Sequence, residues 1–319
     1  MRPRIVMLLA FMIAAVAVGF TGARFTILPS SPPVVHKSLP ASSASYLGVF
    51  EPGSPPSYKP IEQFASVAGK EPNLIGYYSG WAEPFDTSFA EMVYRHGLIP
   101  FVQIDPSFAS VAAIAQGEYD GYLRLYADTV RDFGHQVVIG FGHEMNGDWY
   151  SWGYGQTLAS TFVAAWQHIV TLFRAEGADN VTWLWTIQAD ETGVTGPILS
   201  WWPGPNYVTW VGIDGYYERP SDTFDSVFRK TIEQVDQFTN KPILLSETAV
   251  TPRADQYANI HNLFQGMSQF KTLGLVWFDV DQSPSNKITR QDWRIEGNAP
   301  AQAAFRLGVA GLTLVTTRR

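Results

Sequence analysis

Two glutamates carry the strongest chemical signal in this 319-residue sequence. Glu144 lies in Gly142-His-Glu-Met-Asn-Gly147 and Glu247 in Leu244-Leu-Ser-Glu-Thr-Ala249, each directly after a short apolar run. Paired carboxylates can cleave a glycosidic bond, one protonating the leaving oxygen while the other attacks the anomeric carbon. The division works only if the surroundings keep one protonated and the other ionised. Aromatic residues are abundant, with 11 Trp, 14 Tyr and 20 Phe, and flat rings match the faces of pyranose sugars. Trp149 and Trp152 stand three apart in a polar, glycine-bearing loop, which predicts exposed stacking surfaces. Trp183 and Trp185 alternate within an apolar run, which predicts burial.

Other chemistries are excluded or unsupported. There is no cysteine, which removes disulfide scaffolds, thiol catalysis and cysteine-held metals. The net charge of -7 and the lack of a basic run argue against a nucleic-acid partner, whose phosphates demand clustered Lys and Arg. No phosphate loop, nucleophile elbow or paired-histidine zinc helix is found, and His143 alone is weak evidence for a metal. No cofactor and no metal are expected.

The elements that must position the two glutamates follow a regular alternation. Eight apolar runs, at 46–50, 74–78, 98–104, 137–141, 181–187, 208–213, 242–246 and 273–278, read as strands. Their near-continuous hydrophobicity suits parallel strands covered on both faces. Amphipathic helical patterns lie between them, most clearly at 157–174 and 224–238, with a closing helix near 301–307. This predicts a single (β/α)8 barrel over residues 46–310, with a doubly wound sheet as the alternative. Pro100 sits awkwardly in the third strand. In such a barrel, function clusters where strands end. Those ends carry Glu51, Trp81, Asp105, His143-Glu144, Gln188, Asp214-Tyr216, Glu247 and Asp279-Asp281. Strands four and seven face each other, so Glu144 and Glu247 can flank one bond.

The N-terminus reads as a separate piece. Arg2 and Arg4 precede an apolar run at 5–20, and Thr21-Gly-Ala23 follows. Residues 1–28 are expected to be a cleaved export signal or a retained anchor. Either places the rest outside the cytoplasmic membrane, secreted or tethered through residues 5–23. Residues 29–45, rich in Pro, Ser and Ala, read as a flexible linker.

The run His143-Glu-Met-Asn-Gly-Asp-Trp-Tyr-Ser-Trp-Gly153 resembles the acid/base signature of glycoside hydrolase family 26, retaining β-glycanases whose catalytic acids end strands four and seven. Trp201-Trp-Pro-Gly204, Val211-Gly-Ile-Asp-Gly-Tyr216, Ser246-Glu247, Trp277-Phe278 and Asp292-Trp-Arg294 extend the likeness over residues 46–305. The resemblance implies Glu144 as acid/base and Glu247 as nucleophile. It implies that His143 contacts the sugar in the −1 subsite, and that Tyr216 hydrogen-bonds the nucleophile. Trp277 would form the platform under the −1 sugar, with Trp149 and Trp152 lining neighbouring subsites.

A β-linked polysaccharide is then the expected partner of a monomeric endo-acting enzyme. Mannan stands first on family frequency. Mixed-linkage β-glucan is the alternative, toward which Gly147-Asp-Trp-Tyr-Ser-Trp152 leans. A catalytically silent envelope lectin would keep the tryptophans but need neither acid. A transglycosylase would use the same residues as a hydrolase.

Overall fold

The computed structural model describes residues 39–190, 195–252, 255–282 and 291–316. The expected signal or anchor, and most of the expected linker, lie outside them. Among the described residues no helix is long and apolar enough to cross a membrane.

The eight runs form a closed parallel barrel in sequence order. Its strands are β1 (Tyr46–Phe50), β2 (Leu74–Gly80), β3 (Ile99–Asp105), β4 (Val137–Phe141), β5 (Val181–Gln188), β6 (Trp210–Asp214), β7 (Ile243–Thr248) and β8 (Gly274–Phe278). Around it lie α1 (Lys59–Ala68), α2 (Thr87–Arg95), α3 (Val111–Ala115), α4 (Asp120–Phe133), α5 (Ala159–Ala175), α6 (Lys230–Asp236), α7 (Gln256–Gln269) and α8 (Ala299–Ala310). Side-chain caps start several of them. Asp86 accepts from the Phe89 amide (2.9 Å), Asp255 from Ala258 (3.1 Å) and Asn298 from Ala301 (3.1 Å), relieving the unpaired donors of a first turn. Pro100 is tolerated because it precedes the ladder to β4, which begins at Phe101, so no ladder bond is lost.

The core has two parts. The larger fills the space between barrel and helices. The smaller closes the barrel interior at its N-terminal end, with Tyr46, Phe101, Leu184, Trp210 and Val276 among its members. Leu39 plugs that end, the Tyr46 hydroxyl donates to Pro40 O (2.8 Å), and the Val315 amide donates to Ser45 O (3.0 Å). Residues 39–45 therefore belong to the fold, correcting the expected linker at its C-terminal end. An open barrel mouth lined by apolar side chains needs a cover.

Above this plug the interior narrows to small and polar residues. A methyl group on Gly48 would meet Val276 Cγ2 at 2.6 Å, one on Gly140 would meet the Gln103 amide oxygen at 1.8 Å, and one on Gly212 would meet Ser246 Oγ at 2.5 Å. In the space left, Gln103 Nε2 donates to Thr186 Oγ1 (2.9 Å) and Ser246 Oγ to Asp214 Oδ1 (2.6 Å). This layer is the floor on which the functional residues stand.

Candidate active site

The strand ends bring three carboxylates together: oxygens of Glu144, Asp214 and Glu247 all lie within 4.8 Å of one another. Glu247 reaches this position through an irregularity in β7. The pairing with β6 runs Gly212↔Leu244 but Asp214↔Glu247, one residue out of step. Such a bulge re-aims a side chain, here from the outer face into the barrel mouth. Glu144 follows β4 on a sharp turn in a left-handed conformation (φ 52°), which is unfavourable for a residue with a β-carbon. Its amide donates to Thr186 O (3.0 Å) and its carbonyl accepts from the Gly147 amide (2.9 Å), fixing the turn.

Each oxygen of Glu247 has a phenol donor. The Tyr216 hydroxyl donates to Oε2 (2.6 Å) and the Tyr78 hydroxyl to Oε1. Burial pushes the Glu247 carboxyl up to about 8, while the two donors favour its ionised form. Tyr216 is itself pushed well up, by burial and then by Asp214 and Glu144, so it stays a protonated donor. Glu144 accepts from Trp149 Nε1 (2.7 Å), and that indole folds back over Gly147, where a methyl group would meet it at 2.3 Å.

His143 is buried between Asp105 (Nδ1 to Oδ1, 2.9 Å) and the Tyr150 hydroxyl (3.1 Å). Burial, the largest effect, lowers its pKa. Asp105 at contact distance, then Glu144 and Asp214, outweigh it and raise the imidazole to about 9. Asp105 is thus an ion-pair partner of His143. Asp214 is fully enclosed; Oδ1 accepts from Ser246 and Oδ2 has no hydrogen-bond donor. Burial, with Glu144 next, pushes it well up.

Five of the seven residues singled out from the sequence meet at this mouth: Glu144, Glu247, His143, Trp149 and Tyr216. Two do not. Trp152 is buried beneath His143, donating from Nε1 to its carbonyl (2.8 Å) and stacking on Tyr150 at 4.3 Å. It props the loop instead of offering a face to sugar. Trp277 points out of the barrel, packs on Phe305 of α8 and donates to Asp279 Oδ1 and Trp293 O, each at 3.1 Å. Its neighbour Phe278 takes the inward position, against Phe50 and Tyr216. Trp183 and Trp185 are buried as expected. Trp277→Ala should accordingly lower stability by about 3–5 kcal/mol, readable by denaturant unfolding. A stable variant with weakened substrate binding would restore the platform reading.

Tyr78, Tyr150 and the depth of Asp214 were not anticipated, yet for Tyr78 and Asp214 a signal exists. Runs one, two and six each carry a glycine at an inward position, and the residue two further on also faces inward: Phe50, Tyr78 and Asp214. In β8 the same phase from Gly274 through Val276 selects Phe278, not Trp277.

A second carboxylate group, Glu51, Asp279 and Glu296, sits at the β1–β8 side with oxygens also within 4.8 Å. Among the described residues these two groups are where oxygen-liganded cations could be held. Burial raises Glu51 to about 8, and burial with Glu51 and Glu296 raises Asp279 to about 10. Glu51, Glu247, Asp279 and His143 all bind their protons more tightly folded than unfolded. Their stabilisation is present below the unfolded pKa, about 4 for the acids and about 6.5 for histidine, and is lost as pH rises through the folded values. The melting temperature should fall with rising pH, most steeply between about pH 6.5 and 8, where all four contribute. A melting curve that is flat or rising across that window would refute the assignment.

In sequence, 271 residues are 31% identical to Endoglucanase H of Acetivibrio thermocellus, covering 80% of this chain but only 29% of that protein. Over 109 residues the chain is 31% identical to mannan endo-1,4-β-mannosidase A and B of Caldalkalibacillus mannanilyticus, covering 32% of this chain and 20% of that one. The chain thus spans under a third of either relative. In fold it is similar to the Bacillus subtilis mannanase BCman, with a TM-score of 0.64 at 18% identity over 87% of this chain and 88% of the other. The sequence model of Glycosyl hydrolase family 26 matches residues 120–290, from α4 through the strand ends bearing both glutamates. The chain belongs to glycosyl hydrolase family 26.

Proposed function

We propose that the protein is a retaining endo-β-glycanase acting on a β-glucan, with Glu247 as nucleophile and Glu144 as acid/base. The observation that carries the mechanism is the spacing of the carboxylates. An oxygen of each lies within 4.8 Å of one of the other, which is nearer the separation of about 5–5.5 Å in retaining enzymes than the about 6.5–9.5 Å of inverting ones. Glu247 attacks the anomeric carbon as Glu144 transfers its proton to the departing glycosidic oxygen. Glu144, now ionised, takes a proton from water, which displaces Glu247 from the glycosyl-enzyme.

The surrounding residues serve these two steps. Tyr78 and Tyr216 hold the nucleophile's oxygens and spread its charge. Trp149 fixes Glu144 toward the leaving group. Protonated His143, held by Asp105, sets an imidazolium beside the carboxylates of the mouth, and the pair as a whole adds no net charge. β-Glucan is favoured over mannan because the relative similar across 80% of this chain is an endoglucanase, whereas the mannosidase likeness covers 32%. A polymer too large to cross a membrane also fits the export or tethering expected of residues 1–28.

The test is reducing-end release from mixed-linkage β-glucan, mannan, galactomannan and β-1,3-xylan, with Glu247→Ala as blank. Release from β-glucan alone, lost in the variant, supports the reading. Release from mannan alone replaces the substrate, and retention of activity in the variant removes the mechanism.

A further inference from the structure

Beyond the catalytic mouth, the loops that follow β3, β4 and β5 expose an unusual amount of apolar surface. Among the described residues seven large hydrophobic side chains are exposed, and four of them are Phe108, Tyr154, Leu158 and Leu199. Phe108 follows Asp105 by three residues, and Leu158 immediately precedes α5. In this fold the strand ends and the helix starts share the catalytic face. Two surface cavities lie among these loops, with Leu158 lining both and Tyr154 lining one. One, of about 310 Å³, is lined by Ala109, the residue after Phe108, together with Ser110, Ser151, Leu158 and Thr161. The other, of about 340 Å³, is lined by Tyr154, Leu158, Pro197, Ser200 and Trp201. They share Gln156, Thr157 and Leu158.

Phe108 is the least expected residue of the set. It is 95% exposed and its backbone is left-handed, at φ +67°, where a bulky side chain is strained. Packing does not explain a phenyl ring there, since it buries almost nothing, and the backbone would be eased by glycine. Between the apolar residues the cavities present hydroxyls and an amide, from Ser110, Ser151, Thr157 and Gln156. Sugars ask for that combination: apolar ring faces bounded by hydroxyl edges.

We propose that this strip is a glycan-binding track, on which a β-linked chain continues from the mouth across Phe108, Leu158 and Tyr154. The inference rests on the glycanase reading above and adds what the catalytic residues do not supply, a preference for long chains over short ones. The occupant is the polymer because the track is continuous with the loops rooted at Asp105, His143 and Glu144. A chain held at the mouth passes over those loops if it extends toward β3–β5.

The experiment compares wild type with Phe108→Ala, Phe108→Trp and Phe108→Gly on soluble barley-type β-glucan and on a short chromogenic aryl glycoside. Phe108→Ala should raise KM on the polymer roughly three- to tenfold with kcat unchanged. It should leave the aryl glycoside untouched, and Phe108→Trp should restore the polymer KM. Phe108→Gly is the folding control, because it removes the ring while suiting the backbone. The same KM rise in a variant with an equal or higher melting temperature is loss of a sugar contact. Equal losses on both substrates, or an unchanged KM on the polymer, overturn the track. If wild type cleaves no polymer, the glycanase reading fails by itself. The track is then judged by affinity electrophoresis in β-glucan gels, where equal retardation of wild type and Phe108→Ala overturns it.

Discussion

Glu247→Ala is expected to abolish turnover on every β-glycan, with a fall in kcat on the order of 10⁴-fold or more. The variant should still bind glycan, since Tyr78, Tyr216 and His143 remain. It should also be more resistant to alkaline unfolding than wild type, because it removes a carboxyl that burial holds up at about 8. Loss of function with gain of stability is the mark of a site strained for chemistry. A small anion such as azide should fit the space vacated by the carboxylate and attack in its place. One displacement then replaces two, so the glycosyl azide should carry the inverted, α configuration. Near-normal activity without azide, or a β-glycosyl azide, would show that another group is the nucleophile.

Glu144→Ala should divide substrates by leaving group. On polymer, whose departing alkoxide needs a proton, kcat/KM should fall roughly 10²–10⁴-fold. On aryl glycosides with acidic phenols the first step needs little protonation, so the glycosyl-enzyme should still form rapidly and accumulate. A burst of phenol followed by slow turnover is the expected trace. Azide should accelerate the second step without needing a general base and give the β-glycosyl azide, the opposite configuration to the Glu247 variant. Equal losses on both substrate classes would remove Glu144 from the acid role. Trp149, whose indole N–H loses its acceptor Oε2, links this result to the loop. Trp149→Phe should show a weaker form of the same division.

The barrel was legible because eight apolar runs with helices between them have few other solutions. The two glutamates were legible because function in that fold collects at strand ends. What escaped was phase. Tyr77 and Tyr78 are both aromatic, and nothing in an all-apolar run says which faces the axis; Tyr77 packs on Phe89 of α2 and Tyr78 on the nucleophile. The same ambiguity turned Trp277 outward. Glu247 is the converse case. Strict alternation from the inward Ser246 would have turned it away, and only the bulge in β7, invisible in composition, brings it in. Trp152 escaped for a different reason, since burial of a loop residue depends on contacts to His143 and Tyr150 that local pattern does not encode.

The small-residue layer inside the barrel has a reach beyond packing. Gly48, Gly140 and Gly212 leave no clearance for even a methyl group, and Gln103, Thr186 and Ser246 fill what they leave. How deeply a sugar ring can sink toward Glu144 and Glu247 is therefore decided one storey below, by positions that no substrate touches. A variant selected there for altered depth would change which ring conformations the enzyme tolerates while every residue in contact with the glycan stayed the same.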